Sequence, residues 1–262
     1  MRHVVPILLV LLAALPASAE DRVVLDSLET VKEALADRDA AVRLAAARAA
    51  AGLQDHALTS PLVKLLKDDE GPVREAAIEA LAGRVAEKER KAAAKGLAAR
   101  IAPLARDEVA RDELLLVVGA LHDLAQPTTI KALMDVGVND DRQIVKARAM
   151  AVANVPHADA IDALLKLGSK GRRHTGWIGI ARDALTYATG VRMRGDADQW
   201  LQWWRDAKDG FSFEAAAKRR ADERDAQARK AARKEEQRRK AEEKRRKREE
   251  RRREKDGEDE GS

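Results

Sequence analysis

Apolar residues along this chain recur at helical spacing. In AAVRLAAARAAAGL, Val42, Ala45, Ala46, Ala49 and Leu53 fall at i, i+3, i+4, i+7 and i+11, which places them on one stripe of a helix. Val73, Ala76, Ala77 and Ala80 repeat that stripe in PVREAAIEAL. Upstream of each, LDSLETVKEAL and SPLVKLLK supply a shorter partner helix. Asp37 or Asp39 stands before the first stripe, where a carboxylate accepts the free N–H groups of an opening turn. Pro72 takes the early helical position at which a missing N–H costs nothing. Long alternating β-branched or aromatic runs are absent, and Ala and Leu dominate. The pattern therefore predicts an all-α protein.

The two stripes belong to a longer repeat. LADRDAAVRLAAARAA (35–50) aligns on LKDDEGPVREAAIEAL (66–81) without a gap, so that Leu35 matches Leu66, Asp37 matches Asp68 and Arg43 matches Arg74. Asp140, Val145, Lys146 and Ala149 give a further copy. LARDEVARDELLLVVGAL (104–121) and the segment from Asp159 to Thr189, its turn expanded to GSKGRRHTGW, complete a series of about five hairpins. Two short Ala-rich helices cannot bury enough surface alone, but stacked on neighbours they build a continuous core. The expected organisation is a stacked-hairpin domain over residues 20–190, a Trp-rich cap over 191–213 and a charged helix over 214–262.

A Leu, an Asp-containing turn, Val-Arg and an Ala-rich second helix, as in Leu35, Asp37, Asp39, Val42, Arg43, Ala45, Ala46 and Ala49, resemble the unit of the HEAT-repeat family. The resemblance covers roughly residues 23 to 189. It implies a right-handed α-solenoid whose second helices line a concave face, with Arg43 and Arg74 bridging the turns of adjacent units as structural residues.

Six of the seven aromatic residues lie between Tyr187 and Phe213, and the seventh is Trp177. Trp200, Trp203 and Trp204 stand at i, i+3 and i+4 of a helix opened by Asp196 or Asp198 and ended by Gly210. A face of three indoles left in water would be a large apolar patch, so this helix is expected to fold back over the last hairpin and cap it. Trp177, Tyr187, Phe211 and Phe213 are expected to line the same pocket. The Thr-Gly, Gly-Asp and Trp-x-x-Trp-Trp sequence of 186–204 is similar to a C-terminal module of secreted HEAT-repeat proteins. Trp200, Trp203 and Trp204, with Arg192 and Arg194 beside them, form the candidate contact surface, because Trp and Arg dominate interface hot spots.

The two ends differ from the middle. Arg2 and His3 precede twelve apolar residues, then Pro16 and Ala17-Ser18-Ala19. That run is short of the about twenty residues that span a bilayer, and it ends as a signal peptide does. Residues 1–19 are thus expected to be removed on export by the general secretory route, leaving a periplasmic or extracellular chain with no membrane span. From Glu214 to Ser262 the chain carries 20 Lys and Arg against 15 Asp and Glu, while the first 213 residues balance. Pairs such as Glu235–Arg239, Glu236–Lys240 and Glu243–Lys247, each worth about 0.2–0.5 kcal/mol, support an isolated helix over 214–255. DGEDEGS is expected to form a disordered acidic tip. Acids and bases alternate along this segment, and it has neither aromatic nor large aliphatic residues, so a spacer is the favoured role.

Candidate chemistry is sparse. Cysteine is absent, which excludes disulfides and thiolate ligands. His56, His122, His157 and His174 are scattered, and none has a second His or Glu at metal-ligand spacing. No His-Glu dipeptide matches the metal hydroxylases among HEAT-like proteins. GSKGRRHTGWIG offers bases before a helix but lacks the phosphate-loop pattern. No catalytic, cofactor or metal site is expected. The favoured function is a non-catalytic scaffold for a protein or cell-envelope partner, with nucleic acid disfavoured. The alternatives are an enzyme or accessory subunit like HEAT-like lyase subunits, and an anionic-polymer binder acting through the basic helix.

Overall fold

The computed structural model describes residues 27–135, 141–170, 175–193 and 196–259, with side chains in the last helix as far as Lys244. It holds helices and turns, and no strand among the described residues. The chain divides into a compact unit ending at Ala80 and a second beginning at Leu81.

The first unit contains α1 (Leu28–Ala34), α2 (Ala40–Gly52), α3 (Thr59–Leu65) and most of α4 (Gly71–Ala82). Ser27 and Thr30 cap α1 reciprocally, and Asp39 caps α2 by accepting the Ala41 N–H at 2.8 Å. The Asp37 carboxylate accepts the Asp39 N–H at 2.7 Å, so the two candidate caps share one turn. Val73, Ala76, Ala77 and Ala80 are buried as the spacing predicts. In α2 the buried stripe is Ala46, Ala47 and Ala50, whereas Ala45 is exposed and Leu53 stands past the last turn. With Ala at most positions, α2 has several nearly equivalent faces, and packing chooses among them.

Arg43 ties the first two hairpins. Its Nε and Nη2 donate to the two Asp68 carboxylate oxygens at 2.7 and 2.9 Å, while Nη1 donates to the carbonyls of Asp37 and Arg38 at 3.0 and 2.9 Å. The pair is largely shielded, with 16% and 6% of the two side chains exposed. Arg74 takes the carbonyls of Asp68 and Asp69 at 2.8 and 3.0 Å, the same relation to its own turn. The Arg43 hydrogen bond holds the Asp68 carboxyl below the usual carboxylate range.

The second unit continues with α5 (Glu87–Leu104), α6 (Arg111–Leu124), α7 (Ile130–Met134), α8 (Arg142–Ala153), α9 (Ala158–Lys170) and α10 (Thr175–Thr189). The second helices α6, α8 and α10 pack in sequence, and α5, α7 and α9 form a parallel layer beneath them. Within this unit three hairpins thus follow the expected repeat, and their two-layer stacking is that of an α-solenoid. The expanded turn is narrower than expected. Gly168, Ser169 and Lys170 belong to α9, because Gly168 lets α9 approach Ala181 and Ser169 bonds back to the Leu165 carbonyl at 3.0 Å. The basic tip, 171–174, lies outside the described residues.

Arg148 occupies a position that is alanine in the second hairpin, and it is only 1% exposed. Its guanidinium donates to the carbonyls of Leu133, Ala132 and Asp135 at 2.8, 2.9 and 2.7 Å, closing the end of five-residue α7. Asn154 joins neighbouring second helices. It donates to the His122 carbonyl at 2.8 Å and accepts from the Tyr187 hydroxyl at 3.2 Å.

Asp68 has a lowered folded pKa, so its contribution to stability is present above the unfolded value near ~3.9 and is lost as pH falls through the folded value. Asp68→Asn is expected to melt several degrees below wild type at neutral pH. The gap should close below about pH 4, as measured by melts across pH. Among the described residues, Ala125 at φ 48° and Gly190 at φ 69° leave their helices in the left-handed region. Ala125→Gly is expected to stabilise by about 1 kcal/mol and Gly190→Ala to destabilise by at least as much, in denaturant titrations. At Gly190 an added Cβ would also meet Arg219 Nε at 3.2 Å.

Candidate functional site

The C-terminal end is built by α11 (Ala197–Ala207) and α12 (Phe213–Asp259). Asp196 opens α11 by accepting the N–H groups of Asp198 and Gln199 at 3.1 and 3.0 Å. α11 packs on α9, and the start of α12 packs on α10, so both helices of the last hairpin are covered.

Trp200 and Trp204 are each 2% exposed, whereas Trp203, between them on the helix, is half-buried. The rings form a herringbone. Trp203 meets Trp200 edge-on at 5.6 Å, Phe211 meets Trp204 at 5.5 Å, and Phe213 meets Phe211 at 5.0 Å between centroids. Asp162 on α9 fixes the depth of the helix by accepting Trp204 Nε1–H at 2.8 Å and Lys208 Nζ at 3.0 Å. Beside Trp200 a void of about 10 Å³ is lined by Leu165, Gly168, Ala181, Leu185 and Ala197. It has room for no more than one water.

Tyr187 stands apart from the herringbone, stacked under Arg220 at 4.7 Å. Arg220 Nη1 also donates to the carbonyls of Tyr187 and Ala188 at 2.9 and 3.0 Å, and Arg219 Nη2 to that of Thr189 at 3.2 Å. Together with fully buried Ala216, these arginines make the first turns of α12 the cap of α10. Sequence spacing treats them as ordinary members of the charged run. The signal that marks them is position, two turns after Phe213 and a hairpin's length after Tyr187. Arg192 is exposed and pairs with Glu223 of α12 at 3.2 Å. Arg194 lies outside the described residues. Trp200 and Trp204 thus face inward, Trp203 is the more accessible indole, and Arg192 is engaged by α12.

The histidines lie apart, His56 beside Asp55, His122 beside Asp123 and His157 beside Asp159, while His174 lies outside the described residues. No group of three metal-ligating side chains occurs among the described residues. Among them, too, no helix is long and apolar enough to cross a membrane.

A family model described as HEAT repeats matches residues 10–82 and 28–113. Residues 10–113 are thus similar to HEAT repeats. The matched region begins inside the apolar N-terminal run and ends early in α6. No curated protein matches it. Among solved structures it is similar to the crystal structure of an engineered protein, 21% identical, with 73% of this chain and 93% of the other covered and a TM-score of 0.42.

The burial order predicts the response to truncation of the rings. Trp200→Ala and Trp204→Ala are each expected to cost about 3–5 kcal/mol in denaturant unfolding, with Trp203→Ala clearly less. An equal cost at all three would show that the cap does not bury its two inner indoles.

Proposed function

We propose that this chain is an exported, non-catalytic scaffold that holds a protein or cell-envelope partner on its repeat surface. The observation that carries the reading is the packing of α6, α8 and α10 side by side as one layer, in a chain matched by HEAT repeats. HEAT repeats serve widely as protein-interaction scaffolds. Adjacent second helices offer an extended, polar-faced surface of the kind that stacked repeats use for binding. The buried aromatic end terminates the stack, which leaves the faces along it as the contact area. The Arg2–Ala19 pattern supports export, and removal of the leader after Ala19 places the scaffold in a periplasm or outside the cell. The exposed part of α12 then serves as a stiff extension.

The test is affinity capture from envelope extracts with the full chain and with a chain ending after Arg224, read by mass spectrometry. That end point keeps Ala216, Arg219 and Arg220, which a cut before Glu214 would remove together with the cover of α10. Both proteins are expected to retain one shared set of partners. Recovery of nothing by either would overturn the scaffold, and an intact N-terminus on the exported chain would overturn leader removal.

A further inference from the structure

From Arg229 to Lys255 the charges of α12 are mixed along its length, but the acids are confined to one half of its circumference. At about 100° per residue, Arg229, Lys230, Arg233, Lys234, Lys240 and Lys244 fall on one half of the circumference, with Arg238 at its edge and no acid among them. Glu235, Glu236, Glu242 and Glu243 all fall on the other half, with Arg239. Every residue from Asp222 to Lys244 is exposed. The ion pairs Arg238–Glu242 and Lys240–Glu236, at 3.6 and 2.6 Å, form along the two borders between the halves. Away from those borders, Lys230, Lys234 and Lys244 have no acid three or four residues away in either direction, so no neighbour on the helix can neutralise them. The backbone register brings Lys247, Arg248, Arg251, Arg252 and Lys255 round to the same half. Alternation along the chain therefore does not cancel the field. One side of the helix is a basic strip about 39 Å long at about 1.5 Å per residue.

We propose that this strip binds an anionic bilayer surface through lipid phosphate headgroups. The strip is straight and spans half a cylinder, so long side chains on its flanks can reach down to a plane while those at its centre rest on it. It has no aromatic ring to stack on a nucleobase. It has no apolar side chain larger than Ala, so the helix stays at headgroup level instead of entering the bilayer. Attraction of this kind grows with each base near the surface and falls with salt. The Arg219 and Arg220 contacts anchor the root of the strip to α10, so binding also holds the last hairpin at the surface. This inference does not depend on the partner of the repeat surface.

The test compares the full chain with two triple variants of equal net charge in sedimentation with vesicles. K230E/K234E/K244E reverses the centre of the strip, and R239E/R246E/R253E reverses bases on the acidic half. Circular dichroism checks that helicity is kept. At low salt, wild type and the second variant are expected to bind phosphatidylcholine vesicles containing phosphatidylglycerol, and to leave pure phosphatidylcholine unbound. The strip variant is expected to bind more than about tenfold more weakly, and high salt should release the wild type. Equal loss in both variants would reduce the effect to net charge and overturn the proposal. Absence of vesicle binding would also overturn it, as would tighter retention on duplex DNA than on anionic vesicles.

Discussion

Arginine reaching the carbonyls at a helix end is the contact on which this stack depends. Each short helix ends with carbonyls that its own turns cannot use, and leaving them unpaired in a packed interior is costly. Arg90 takes the Leu124 carbonyl, Arg148 closes α7, and Arg219 with Arg220 close α10, while Arg43 and Arg74 brace the loop carbonyls of the turns before them. A core of alanine and leucine attracts without direction, so small side chains alone would let neighbouring hairpins slide. A planar guanidinium with several fixed donors allows far fewer registers. Arg148 is the extreme case. Its charge lies inside the protein, and three carbonyl dipoles at a helix C-terminus replace the water it gives up.

The end of the stack follows from the same limits. Between two repeats, buried faces of alanine, valine and leucine meet. Beyond the last hairpin only a single helix is available on each side, and small residues would leave gaps. Indoles on α11 fill the space over α9, with Asp162 satisfying the Trp204 N–H. The root of α12 covers α10 and stacks Arg220 on the Tyr187 ring. One helix therefore has two regimes. As far as Ala221 it is part of the fold, and from Asp222 onward every described side chain is solvated.

Much of this was legible because it is local or periodic. The offset between the first two hairpins, the caps at Asp39 and Asp196 and the place of the aromatic helix follow from spacing and short-range chemistry. The misreadings are also specific. α2 presents Ala46, Ala47 and Ala50 instead of a stripe through Ala45, since alanine on several faces leaves its rotation open. Tyr187 left the aromatic pocket for Arg220, a partner 33 residues away that periodicity cannot indicate. α12 runs on to Asp259, into the acidic stretch expected to be disordered, because an established helix gains a backbone hydrogen bond with each residue it adds, and 260–262 lie outside the described residues. The basic strip could have been read from the sequence, but only by turning the residues around the helix instead of following them along it.

By itself the sequence determined an all-α chain, its hairpin repeat and the charged character of its extension. These depend on helical propensity, on caps within a few residues and on a period repeated along the chain. Tertiary structure decided which alanine face turns inward, which arginines are buried in carbonyls and which of three tryptophans stays accessible. Those choices rest on contacts between residues 13 to 42 positions apart, such as Arg148 with Asp135 and Trp204 with Asp162. Sequence spacing places each residue on a helix, whereas only packing brings two helices close enough for one residue to answer the other.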